Sequence, residues 1–195
     1  MLKDLVLQNR SYRRFYQEKN VDRESLVELV ELTRFCPSGR NAQPLKYFIS
    51  NSEPTNSHIF SNLAWAAYLK EWNGPEEGER PSAYILILED QTIATSSQRD
   101  QGIMAQTIML GAAEKGLGGC IIASVKGHEL AKILGIPDHL KIVLALALGY
   151  PKEHVVIEPM PQNGNIEYWR DDKGVHHVPK RDLSELIWNK TVGKG

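Results

Sequence analysis

YILILEDQTIATSSQRDQGIMAQTIMLGAAEKGLGG, residues 84–119, is the stretch that decides the fold. Its first five residues, Tyr84-Ile85-Leu86-Ile87-Leu88, form a continuous apolar run bounded by polar residues, which predicts a strand buried on both faces. The longest helical pattern of the chain follows, from Ser97 to Lys115. Met104, Ala105, Ile108, Met109, Ala112 and Ala113 surround most of its circumference, so this helix is expected at the centre of the molecule. Gly116 ends it, and Gly118 to Ser124 reads as the next strand. The glycines of Gly116-Leu117-Gly118-Gly119 are not a dinucleotide fingerprint. That pattern needs a strand, a glycine turn and then a helix, and this run comes after a helix. A helix end leading into a tight strand entry accounts for it.

On the N-terminal side, Asp22 is placed to cap a helix carrying Leu26, Val27, Leu29, Val30 and Phe35, which should stop at Cys36-Pro37-Ser38-Gly39. Tyr47 to Ser50 predicts a short strand. Ile59 to Trp72 predicts another helix, and Asn73 to Gly78 a polar loop. On the C-terminal side, Gly127 to Leu134 predicts a short helix and Lys141 to Leu148 a second buried strand. From 151 to 195 the texture changes. Pro151, Pro159, Pro161 and Asn163-Gly164-Asn165 argue for an extended arm. Within it, Glu167 to Arg170 and Val175 to Val178 flank the turn Asp171-Asp172-Lys173-Gly174 as a hairpin, and Asp182 caps a last helix through Leu183, Leu186 and Ile187. The whole, 1–195, reads as one α/β domain whose long arm must pack somewhere, a partner subunit being one answer.

Lysine plus arginine number 23 against 24 acidic residues, so no global positive field argues for nucleic acid or an anionic membrane. No apolar run approaches the roughly 18 residues of a membrane helix. The first residues lack a charged segment followed by an apolar one, and Cys36 and Cys120 are too few for a disulfide framework, so the cytoplasm is the expected compartment. Both cysteines read as packing residues. The six histidines form no pair at metal-binding helical spacing, and His176 and His177, adjacent in a strand, should face opposite ways; no metal site is expected.

Two clusters carry chemistry. In Asn9-Arg10-Ser11-Tyr12-Arg13-Arg14-Phe15, three guanidinium groups and a hydroxyl can make forked, charge-assisted hydrogen bonds to a phosphate; the alternative is a solvated basic turn. In Pro37-Ser38-Gly39-Arg40-Asn41-Ala42-Gln43-Pro44, polar side chains held between two prolines suit the edge of a heteroaromatic ring; the alternative is a plain helix-to-strand turn. Trp65, Tyr68 and Trp72 either pack in a core or dimer contact or, for Tyr68 and Trp72, roof a bound ring and select flat substrates by stacking.

Taken in order, Arg-Ser-x-Arg-x-Phe from Arg10, Pro-Ser-x-x-Asn-x-Gln-Pro from Pro37, the helix opening at Asp100 and running into Gly116-Leu117-Gly118, and Leu148-Gly149-Tyr150-Pro151 together resemble the nitroreductase family. The resemblance runs over about residues 9 to 190. It implies a mixed sheet flanked by helices, an obligate homodimer in which the C-terminal arm is exchanged, and FMN at the dimer interface. It further implies that Arg10, Ser11 and Arg13, joined by Lys180 and Arg181, hold the flavin phosphate and ribityl chain. Pro37, Ser38 and Asn41 would approach the same flavin from the other subunit. Ile122, Ala123 and Ser124 would lie beside the pyrimidine and N5 edge through backbone groups. Many members carry two arginines where this chain has Asn9-Arg10, and some carry Glu-Gly where it has Ala123-Ser124. The implied activity passes electrons from NADH or NADPH through the flavin to a small acceptor, such as a nitroaromatic or quinone, by ping-pong turnover with no catalytic acid or base from the protein. Enone reduction, reductive dehalogenation, oxygen-dependent flavin chemistry and a non-catalytic flavin-binding module are the alternatives on the same scaffold.

Overall fold

The computed structural model describes residues 1–188. The last seven residues of the arm, and the C-terminal end of the span of family resemblance, lie outside the described residues. The chain divides into two compact units, 1–152 and 153 onward.

The first unit is built on a four-stranded antiparallel sheet of β1 (Leu45–Ser50), β2 (Ala83–Asp90), β3 (Gly118–Ile122) and β4 (Leu140–Gly149), in the order β1-β2-β4-β3. As the apolar run requires, β2 is buried along its whole length. Alternate residues feed opposite layers. Ile85 and Ile87 join Leu146 and Leu148 in a core closed by α2 (Arg23–Leu32) and α4 (Gln98–Glu114). Tyr84, Leu86 and Leu88 join Ala145 and Ala147 in a second core closed by α3 (Glu53–Ser61) and α5 (Gly127–Leu134). The α4 helix is the long central helix expected, and Gly116 leaves it with φ of 72°, the left-handed turn that glycine makes without strain. Asp22 caps α2, its side chain accepting from the Ser25 amide at 2.7 Å. The amino terminus adds α1 (Leu2–Gln8).

One expected helix moves. The segment read as Ile59 to Trp72 is helical only from Glu53 to Ser61, so Trp65, Tyr68 and Trp72 stand on turns. Pro54, well suited to a first helical turn, starts the helix earlier than apolar spacing suggested. After Asn62 the chain is drawn to the segment following β3: Leu63 bridges Val125, the Ala64 amide donates to the Ser124 carbonyl at 2.9 Å, and the Lys126 amide donates to the Asn62 carbonyl at 2.9 Å. Tertiary pairing thus overrides the local helical pattern.

The second unit holds a three-stranded sheet of β5 (Val155–Pro159), β6 (Trp169–Arg170) and β7 (His176–Lys180), in the order β5-β7-β6, with β5/β7 parallel and β6/β7 antiparallel. The hairpin turn is tied by Asp171, whose Oδ1 accepts from the Val175 amide at 2.8 Å, with Gly174 at φ 78°. His176 is buried while His177 stacks on Trp169 at 4.1 Å between ring centres and bonds to Glu158, so the two histidines do face opposite ways. Asp182 caps α6 (Leu183–Leu186). Among the described residues no helix is long and apolar enough to cross a membrane.

Candidate functional site

The segment after α1 lies against β3, the edge strand. Ser11 bridges Gly119 in parallel, and the Tyr12 amide donates to the Gly119 carbonyl at 2.9 Å. Gly118 makes this approach possible, and Gly119 lets β3 pack closely on β4. A Cβ on Gly118 would stand 2.5 Å from the Tyr12 ring, and one on Gly119 would stand 2.3 Å from the Ala147 carbonyl oxygen. This brings Arg10, Ser11 and Arg13 to the strand that ends at Ile122 and continues into Ala123 and Ser124. Ile122 is buried, whereas Ala123 and Ser124 are exposed, and the Ser124 carbonyl accepts the Ala64 amide. Tyr68 and Trp72 follow on the turns beyond that contact.

The arginines of the cluster are held differently. Arg10 donates through Nη2 to the Val6 carbonyl at 2.6 Å, near the C-terminal end of α1 where a cation is favoured. Its Nε is buried with no hydrogen-bond partner. A half-buried guanidinium with an unused Nε calls for an acceptor, so these residues fit the phosphate end of a flavin nucleotide. Arg13 is 8% exposed and donates through Nη1 to the Ser11 carbonyl at 3.2 Å. Arg14, counted with the phosphate cluster on sequence, instead grips Glu79 through Nε at 2.5 Å and Nη2 at 2.6 Å, and Lys152 reaches the same carboxylate at 2.9 Å. The Arg14 hydrogen bond, aided by Lys152, holds the Glu79 carboxyl down at about 2 against the desolvation that opposes it. Arg14 therefore pins the segment rather than offering a free fork.

The second cluster is elsewhere in the unit. Ser38 donates from Oγ to Asp100 Oδ2 at 2.6 Å, the Gly39 amide donates to Asp100 Oδ1 at 3.0 Å, and the Gln43 amide donates back to Ser38 Oγ at 2.9 Å. Asp100 is buried in the first turn of α4. Around this knot Arg40, Asn41 and Gln43 adopt φ of 51°, 56° and 50°, left-handed conformations that non-glycine residues rarely take. Gln43 also donates to Asn41 Oδ1 at 3.1 Å. Sequence reading matched Asp100 only as the opening of a helix; its carboxylate is the centre of the loop, and nothing local to residue 100 signals a partner so far back in the chain.

The sheet register measures how far apart the clusters are. Gly119 is level with Leu148 on β4, whereas Leu45, next to the loop, is level with Glu89 and through it Lys141. With strands ~4.8 Å apart and ~3.3 Å per residue, Ser11 and the loop lie roughly 25–30 Å apart. Opposite ends of α4, itself about 25 Å long, give the same separation. Within the chain the structure brings Arg10, Ser11, Arg13, Ile122, Ala123 and Ser124 to one edge and leaves Pro37, Ser38 and Asn41 at the other. In the second unit, Lys180 ends β7, its carbonyl accepting the Met160 amide at 3.0 Å, and Arg181 pairs with Glu185 at 2.9 Å.

A sheet covered by helices on both faces, with a cationic segment laid beside one edge strand, defines an α/β scaffold with its polar clusters at opposite edges. The nitroreductase family profile matches residues 6–150, and the chain belongs to that family. Over 172 residues it is 27% identical to a Thermotoga neapolitana protein named iodotyrosine deiodinase, covering 78% of this chain and 90% of that one. Among solved structures, a nitroreductase-type protein from Desulfovibrio desulfuricans in complex with FMN superposes with a TM-score of 0.69 at 20% identity, covering 98% of each chain. A nitroreductase family protein from Clostridium difficile superposes with a TM-score of 0.67 at 18% identity, covering 98% of this chain and 99% of the other. These likenesses agree with the fold class read from sequence. The sheet of the first unit is antiparallel; parallel pairing enters through the Ser11–Gly119 bridge and in the second unit.

Proposed function

We propose that the protein is an FMN-dependent oxidoreductase, working as a homodimer in the cytoplasm, that takes electrons from NADH or NADPH and delivers them to a small organic acceptor such as a nitroaromatic or quinone. The observation that carries this reading is the Ser11–Gly119 bridge, which sets the cationic segment beside the strand leading to Ile122, Ala123 and Ser124. A bound flavin would supply the redox chemistry, carrying electrons between NADH or NADPH and the acceptor by ping-pong turnover.

The chain supplies binding, orientation and charge. Arg10 offers its unpartnered Nε to the phosphate, Ser11 adds a hydroxyl, and Lys180 and Arg181 bring further positive charge from the second unit. Arg13 stabilises negative charge on the reduced ring. Backbone groups of Ile122, Ala123 and Ser124 would hold the edge of the flavin ring. Tyr68 and Trp72, on the turns tied to Ser124, bound the space for a flat substrate.

Pro37, Ser38 and Asn41 lie too far from Arg10 to touch the same mononucleotide in one protomer. A two-fold partner resolves this: each subunit lends its loop to the other's cationic edge, with the C-terminal arm exchanged between them.

A visible spectrum of the purified protein is the first test. We expect flavin absorbance, bleached anaerobically by NADH or NADPH and restored by a nitroaromatic or quinone. A protein that stays colourless after incubation with FMN would end the proposal, and flavin that is bound but never bleached would make this a binding module. Arg10→Ala is expected to weaken FMN binding about 10- to 100-fold, the loss of one charge-assisted contact; unchanged retention would remove Arg10 from the phosphate site. The likeness to the Thermotoga neapolitana deiodinase favours a second reading, reductive dehalogenation of a halogenated phenol on the same flavin. Release of iodide from iodotyrosine, faster than reduction of any nitroaromatic in the panel, would make that the principal activity.

A further inference from the structure

Away from both clusters, where β2 begins and α3 starts, lies a cavity of about 50 Å³ lined in part by Glu53, Asn56, Phe60, Arg80, Ser82 and Tyr84. That volume holds roughly three or four water-sized centres. Three buried polar atoms of its walls have no hydrogen-bond partner: Arg80 Nε, Ser82 Oγ and Tyr84 Oη. Tyr84 is fully buried and Ser82 is 7% exposed. Buried groups of this kind are normally satisfied, so three around one small space require an explanation.

Two of the polar neighbours, Asn56 and Gln17, are committed elsewhere. Asn56 donates through Nδ2 to the Ser82 carbonyl at 2.8 Å and receives Ser50 Oγ at 2.7 Å on its own oxygen. Gln17 accepts the Gly78 and Arg80 amides at 2.8 Å and 3.0 Å and donates to Glu77 at 2.7 Å. The Arg80 guanidinium is fixed by an ion pair with Glu77 at 2.8 Å and by its place 4.4 Å above the Phe60 ring. The side chain of Ser52 makes no capping bond to the α3 amides, and Glu53, Asn56 and Ser57 from the first turns of that nine-residue helix line the space.

We infer that this cavity binds a compact, singly charged oxyanion, a small carboxylate, at a site separate from the flavin. Each of the three orphaned groups is a hydrogen-bond donor on a residue that lines the space. Burial pushes the Tyr84 phenol far up, which keeps its proton in place as a donor. A cation or a donor-only molecule would find no matching partner in Arg80, whose guanidinium can only donate. The Glu53 carboxylate in the lining opposes a doubly charged ion, and the small volume rejects a bulky one.

The test is thermal denaturation of the flavin-loaded protein in sodium acetate, sodium formate, acetamide, sodium phosphate and sodium chloride at matched ionic strength. Acetate and formate are expected to raise Tm saturably beyond chloride, with acetamide inactive and phosphate weaker than acetate. Tyr84→Phe, which removes one hydroxyl and hardly changes volume, should leave the ligand-free Tm unchanged or higher and shift the acetate midpoint about three- to tenfold upward; Ser82→Ala should act in the same direction. No saturable response beyond chloride, a response unaltered in both variants, a stronger response to phosphate, or a crystal structure in acetate with only waters at Ser82 and Tyr84 would each overturn the assignment.

Discussion

The loop from Pro37 to Gln43 and the segment from Arg10 to Arg13 are both polar, and both border the same sheet, but they are held by opposite means. The loop is closed off. Ser38 and the Asp100 carboxylate of α4 satisfy its amides and hydroxyl, and three left-handed residues are kept in shape by that knot. The segment is open. It is pinned from outside by Gly119 and Glu79, and it leaves Arg10 Nε with nothing to bond. A closed element presents fixed backbone to a ligand and asks for no charge in return; an open one needs the ligand's own charge to complete it. That difference suits the two ends of a flavin nucleotide, a ring whose edge needs orientation and a phosphate whose charge needs a partner.

The contrast breaks most severely at Gly119. Its absent Cβ would stand 2.3 Å from the Ala147 carbonyl oxygen, which belongs to the buried strand β4 and cannot move aside. Gly119→Ala is expected to cost about 3 kcal/mol or more by overpacking, lowering Tm and loosening the contact that places Ser11. A variant with Tm and FMN affinity like the parent would show that the strand edge tolerates displacement, and that the open segment is not set by β3.

Asp100→Ala attacks the closed element. It removes acceptors from Ser38 and from the Gly39 amide, for an expected loss of about 2–3 kcal/mol. The left-handed run at Arg40, Asn41 and Gln43 would then lose its restraint. Limited proteolysis should cut within residues 37–44 first, and FMN affinity should fall although residue 100 carries none of the positive charge. Should the variant resist cleavage there and hold FMN as before, the knot is not what shapes the loop.

These two elements also show where sequence reading stops. The β2 run, the α4 pattern and the Asp22 cap were legible because each is decided within a few residues. The glycines that open β3 were legible as a tight entry, but the purpose of Gly118, admitting Tyr12, lies in a contact between distant parts of the chain. Asp100 was legible as a helix start and not as the anchor of Ser38. Arg14 counted with Arg10 and Arg13 as one basic run until Glu79 took it out of the set. Ile59 to Trp72 carried apolar residues at helical spacing, yet pairing with 124–126 claimed its second half. In every case the missing term is a partner far away in sequence, which spacing alone does not encode.

The smallest effect comes from the pin itself. Glu79, gripped by Arg14 and Lys152, keeps its carboxyl at about 2, below its ordinary value of 4.5. A group depressed on folding adds stability in full above its unfolded value and loses it as pH falls toward the folded one. Relative to Glu79→Gln, the parent should therefore be more stable by about 1 kcal/mol above pH 5, and the gap should close between pH 4.5 and 2. Urea midpoints of both proteins across that range measure it, and the paired comparison cancels the other carboxylates. A gap that stays constant with pH would mean that Glu79 acts through packing alone. A gap that closes as expected would tie the open segment to an ion pair, and FMN affinity should then weaken in Glu79→Gln while the closed loop resists proteolysis as in the parent.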